Sequence, residues 1–230
     1  MNVFKQPCFI MHHINYGNNS KILKLLSRDY GMISLLAKGA KQSKKHKFLC
    51  LQPFTALAVS YRDNQKLSVA SKWEATDNRY HRLKGVKLMS AIYLNELIYR
   101  LLPHSLGCPV IFYLYKNTLK DLNQNINIHQ VLRNFEFSLI EFLGFGLDFS
   151  YDFKNTEPIK KDCFYHIFPQ RGVTIAYDKK LLSYSGSIIL QLLQKKYDVA
   201  VNYWQIKEIA KTLIRPHLTK QLLSINNVFK

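Results

Sequence analysis

The chain has 230 residues, with 33 lysines and arginines against 15 aspartates and glutamates, a formal charge of +18. At 47% hydrophobic and 13% aromatic residues it can bury a core, which excludes a basic disordered tail and points the charge toward an anionic partner. No apolar run reaches the roughly 18–20 residues of a membrane span, no signal-peptide layout opens the chain, and Cys8, Cys50, Cys108 and Cys163 form no C-x-x-C pair, so a cytoplasmic protein without disulfides is expected.

The first 80 residues read as strands. "CFIMHHINY", "SKILKLLS", "MISLLAKGA", "FTALAVSYR" and "KLSVASKW" are short apolar or alternating runs, separated by "GNNS", "RDYG", a lysine-rich loop and "RDNQ". Five short strands with no helical pattern across them suggest a small closed barrel, of which the OB-fold is one. Beyond residue 80 the period changes to 3.6. "LKGVKLMSAIYLNELIYRLLP" ends at Pro103, "PVIFYLYKNTLKDL" opens on Pro109, and "NIHQVLRNFEFSLIEFLGFG" runs to a stop near Gly144. Residues 162–178 read as a small hairpin insert, and further helices follow in "SGSIILQLLQKK" and "NYWQIKEIAKTLIRPHLTKQLLS". The expected class is α+β: a nucleic-acid-binding barrel over residues 1–80, then a helical domain over 81–230 with an insert at about 150–180.

Basic density peaks in the barrel. "KGAKQSKKHK" places Lys38, Lys41, Lys44, Lys45 and Lys47 within ten residues, and no acidic residue lies between Asp29 and Asp63. Uniform positive charge is unlike a solubilising surface, which mixes signs. Lysines are point charges suited to a phosphate backbone rather than a base edge. These five, with Arg28, are the candidate DNA-binding residues. Tyr30, Phe48, Phe54, Tyr61 and Trp73 are the nearby aromatics that could stack bases or fill the core.

Catalytic signatures are missing. "GAKQSKK" lacks the second glycine of a phosphate-binding loop, and neither G-x-S-x-G nor H-E-x-x-H occurs. His12 and His13 sit in a strand, where neighbours face opposite sides. Asp148 and Asp152 are one weak carboxylate pair for a nuclease metal, and Cys163 with His166 is too little for zinc. No catalytic residue, metal or cofactor is expected. On the helix over 127–143, Arg133, Phe137 and Ile140 share one side, outside the main apolar stripe. A cation beside an apolar face can hold a short peptide ending in an aromatic residue and a carboxylate, or the arginine can simply snorkel over a packed face.

"RDYGMISLLAKGAKQSK", "LQPFTALAVSY", "YLNELIYRLLP" and "LRNFEFSLIEFLGFGLDF" resemble, in order and spacing, the bacterial recombination mediator family RecO. The resemblance implies an OB-fold, a helical domain and no enzymatic activity. It implies binding of single- and double-stranded DNA, annealing of complementary strands, and action with RecR to load RecA onto DNA coated by the single-strand binding protein SSB. Arg133 falls on the arginine of the family's "LRxFE" motif, so Arg133, Phe137 and Ile140 would receive the SSB tail. Some members carry a four-cysteine zinc finger in the insert; with Cys163 alone there, this chain resembles the zinc-free type. A nucleoid-associated location follows. The alternative is an OB-fold RNA-binding protein of the translation apparatus.

Overall fold

The computed structural model describes residues 2–40, 51–64, 67–77, 83–103, 107–124, 126–178, 180–197 and 202–218. They fall into two compact units, the first built on residues 1–125 and the second on residues 126–221.

In the first unit, β1 (Asn2–Tyr16), β2 (Ser20–Ser27), β3 (Gly31–Ala37), β4 (Ala56–Arg62) and β5 (Ser68–Asp77) close a barrel in the order β1-β2-β3-β5-β4. Neighbours are antiparallel except β3 and β5, which run parallel from Leu35 opposite Ser68 to Ala37 opposite Ala70. β4 returns to β1 with Cys8 opposite Leu57. This is the OB-fold barrel, closed between β3 and β5 by a short three-residue parallel pairing. Alternating leucines of β2 and β3 (Leu23, Leu25, Leu35) and Val59 of β4 fill the interior.

Four consecutive residues of β1, Cys8 to Met11, are all buried, which alternation alone would not give. Cys8 and Ile10 enter the barrel core, while Phe9 packs outward against Phe112 and Tyr115, at ring distances of 5.2 and 5.1 Å. Those aromatics stand on α2 (Pro109–Asn123), beside α1 (Gly85–Leu101). The Asn95 side-chain amide of α1 donates to the Met11 carbonyl at 2.9 Å and accepts from the Tyr115 hydroxyl. The change from strands to helices near residue 80 therefore falls inside the first compact unit. A Cβ at Gly107 would run into the Asp29 carbonyl, so only glycine lets the chain enter α2 this close to the β2–β3 turn.

In the second unit, α3 (Ile128–Phe142) starts where the Asn127 side chain accepts from the His129 N–H at 3.0 Å. It ends before Gly144, whose φ of +77° suits a helix stop. The hairpin expected in the insert is present as β6 (Phe164–Phe168) and β7 (Gly172–Ile175), and β8 (Tyr184–Ser185) adds to the other side of β6. α4 (Gly186–Leu193), α5 (Tyr203–Ile214) and a 3-10 turn over Arg215–His217 complete the unit.

The insert is held by two buried polar side chains. Asp152 accepts from the Lys154 and Ile175 N–H groups at 2.8 Å each. His166 uses Nδ1 toward the Leu182 carbonyl at 3.0 Å, and its Nε2 accepts from Tyr177 and Asp178 N–H at 3.2 and 3.3 Å. That pattern ties the β6 ring to the two chain segments that follow β7.

Candidate nucleic-acid interface and helical-unit pocket

The lysine-rich segment springs from the barrel core. Ala40 before it and Leu51 after it are both fully buried in the barrel interior. Lys38 is exposed just past the end of β3; Lys41, Lys44, Lys45 and Lys47 lie outside the described residues. Arg28 follows β2 in the turn to β3, and its Nε and Nη2 donate to the two carboxylate oxygens of Asp29 at 2.8 Å each. The Asp29 contact, followed by a hydrogen bond with Tyr113, raises the Arg28 pKa, and the same contact holds the Asp29 carboxyl below its usual range. Arg28 thus stands at the rim of a cavity of about 270 Å³ walled by Phe9, Phe112 and Tyr113, with part of its guanidinium already committed.

The aromatics divide. Phe54 and Tyr61 are buried, while Tyr30 and Trp73 are half-buried and pack on the core. Phe48 lies outside the described residues. The most exposed aromatic among the described barrel residues is one that pattern reading missed: Phe4, 76% exposed. It precedes the run taken as the first strand, and nothing in the alternation around it signals its display. His12 and His13 take the opposite faces expected: His12 is exposed opposite Lys24 and His13 is half-buried opposite the core residue Leu23, past a bulge between Ile10 and His12, with their rings 6.2 Å apart.

In the second unit, Phe137 and Ile140 come together. Both line a cavity of about 440 Å³ with Leu192, Leu193 and Leu213, and the Phe137 ring stacks on Tyr197 at 4.8 Å. Burial pushes the Tyr197 hydroxyl up to about 12. An exposed ion pair, Lys195 Nζ to Glu141 at 2.8 Å, belongs to the same lining. Arg133 does not line it. Its guanidinium is buried and pairs with Glu136 through Nη2, while Nε and Nη1 have no hydrogen-bond partner among the described residues. The snorkelling alternative fails with it, because the charged end never reaches solvent. Lys207 of α5 is buried as well, with its Nζ 4.7 Å from the Trp204 ring centroid. Burial, and then the Lys211 and Arg133 charges, lower its pKa to about 8.

The carboxylates raised as a nuclease pair are engaged elsewhere. Asp148 accepts from the Ser150 N–H at 2.8 Å, and Asp152 holds the insert as described. Among the described residues, no group of three or more histidines, cysteines or acids could hold a metal ion. No described helix is long and apolar enough to cross a membrane.

Comparison with known proteins decides the family. The description "Recombination protein O N terminal" matches residues 1–79, and "Recombination protein O C terminal" matches residues 82–224. The chain belongs to the RecO family. The DNA repair protein RecO of Cellvibrio japonicus is 34% identical over 100% of this chain and 98% of its own length. That of Pseudoalteromonas translucida is 32% identical, covering 96% and 95%, and that of Vibrio cholerae 29%, covering 98% and 93%. RecO membership assigns the chain a role in DNA repair and recombination.

Proposed function

We propose that this RecO-family chain is a non-enzymatic recombination mediator of the cytoplasm and nucleoid. In this reading it binds single- and double-stranded DNA, anneals complementary strands, and helps RecR load RecA onto SSB-coated DNA. The observation that carries it is a segment with four lysines, Lys41, Lys44, Lys45 and Lys47, flanked in sequence by Ala40 and Leu51 in the core of an OB-fold barrel, with Lys38 exposed just before it. Lysines hold backbone phosphates without occupying base edges, so two strands bound this way remain free to pair. Annealing of complementary oligonucleotides tests the reading: reversal of Lys41, Lys44, Lys45 and Lys47 to glutamate slows it, and an unchanged rate contradicts the segment's role. Competition between DNA and RNA of one sequence separates repair from translation, because only RNA offers a 2′-hydroxyl.

The 440 Å³ cavity is the site proposed for the SSB tail. Phe137 and Ile140 offer apolar walls to a terminal phenylalanine, and Lys195, exposed in the lining, exchanges its Glu141 partner for the peptide carboxylate. Arg133, paired with Glu136 and outside the lining, supports this site by fixing α3 rather than by touching the peptide.

A further inference from the structure

We propose that Phe4 stacks on a base of single-stranded DNA whose phosphates are held by Lys5, Arg62 and Lys72. The proposal rests on the DNA-binding reading above and names a surface of the barrel separate in sequence from the lysine segment.

It begins with a register defect. Val3 pairs with Tyr61 and Gln6 with Val59, so Phe4 and Lys5 together face the single residue Ser60. Regular alternation with Val3 inward would send Lys5 inward too. The bulge instead keeps both Phe4 and Lys5 outside and returns Gln6 to the buried side. Lys5 accepts a left-handed φ of 46° to do so, a conformation disfavoured for any residue with a side chain. The bulge is anchored: the Lys5 N–H donates to Ser60 Oγ at 3.0 Å, and Ser71 Oγ donates to the Ser60 carbonyl at 3.0 Å.

The outcome is an aromatic ring among cations. Phe4, at 76%, is the most exposed large apolar side chain among the described residues. Arg62 is exposed opposite Asn2, and Lys72 is exposed opposite Ser60. The carboxylate there, Glu74, is bonded to Lys72 at 2.8 Å and also feels Lys5. Lys5 and Lys72 thus flank Glu74, and Arg62 adds a third exposed cation two residues along β4 from Ser60. A ligand that offers flat π faces and regularly spaced anions together fits this surface, and unpaired DNA does so, whereas duplex DNA keeps its base faces stacked.

The test uses the full chain and a labelled oligo(dT), with anisotropy titrations over a range of salt. Phe4→Ala is expected to weaken binding about tenfold with the slope of log K against log salt unchanged, since no phosphate contact is lost. Phe4→Trp restores the affinity, and a duplex of equal length loses nothing with either variant. Equal oligo(dT) affinity for wild type and Phe4→Ala would overturn the proposal and leave Phe4 to a protein partner. An equal loss on duplex would overturn stacking. A wild type that shows no salt-dependent oligo(dT) binding would remove the DNA reading itself, and this inference with it.

Discussion

Arg133 and Glu136, one turn apart on α3, form an ion pair with both side chains all but closed to solvent, 2% and 1% exposed. Taking two charges out of water costs several kcal/mol for each, and their attraction repays this only while both are present. Glu136→Gln or Arg133→Ala is therefore expected to destabilise the protein by about 3–5 kcal/mol, while the double change Arg133→Met with Glu136→Leu recovers most of that loss. Urea denaturation midpoints decide it. Single variants costing less than about 1 kcal/mol would mean the pair behaves like an exposed one.

The second buried cation makes stability depend on pH. The Lys207 ammonium is flanked by Arg133, Lys211, Glu208, Glu136 and the Trp204 ring, and its pKa is lowered from 10.5 to about 8, first by burial. Its folded pKa lies below its unfolded one, so between about pH 8 and pH 10.5 the unfolded chain binds more protons and stability rises with pH. Below about pH 8 the ammonium is charged in both states and the burial cost is felt in full. Cys8 and Tyr197, both pushed up to about 12 by burial, act in the opposite sense above pH 9 to 10. The wild-type curve is thus best read as a difference from Lys207→Met. That difference should shrink steadily from pH 7.5 to 9.5; a pH-independent difference would mean Lys207 stays charged.

The cavity of the helical unit predicts a peptide specificity. Lys195 is exposed at the cavity, so Lys195→Glu should leave folding intact and weaken an acidic, phenylalanine-ended peptide about fivefold, a charged contact discounted for exposure. Leu193→Asp, at a half-open apolar wall, should abolish the binding, and a peptide without its terminal phenylalanine should not bind the wild type. Isothermal titration would settle it; equal affinities across the set would place the tail elsewhere.

Much of the barrel was readable in advance because its strands alternate against a single core, as in Leu23 and Leu25, with turn residues between them. The first strand was shortened because its opening residues break that alternation. The bulge at Phe4 and Lys5 depends on pairing with Ser60, 55 residues away, which no local pattern encodes. Spacing placed Arg133, Phe137 and Ile140 on one side of α3. It could not show that Arg133 turns toward Glu136, nor that α4 and Tyr197 complete a cavity over Phe137 and Ile140. Periodicity finds a face; what covers the face is set by distant elements.

The most direct test of the account is a salt titration of single-stranded DNA binding, wild type beside the reversal of Lys41, Lys44, Lys45 and Lys47 to glutamate. Each phosphate contact contributes roughly 0.7 to the slope of log K against log salt on a single strand, so four lost contacts flatten it by about 2.8. That flattening, with weaker binding at low salt, is the predicted result. Equal slopes for the two proteins would contradict the claim that the lysine segment grips DNA.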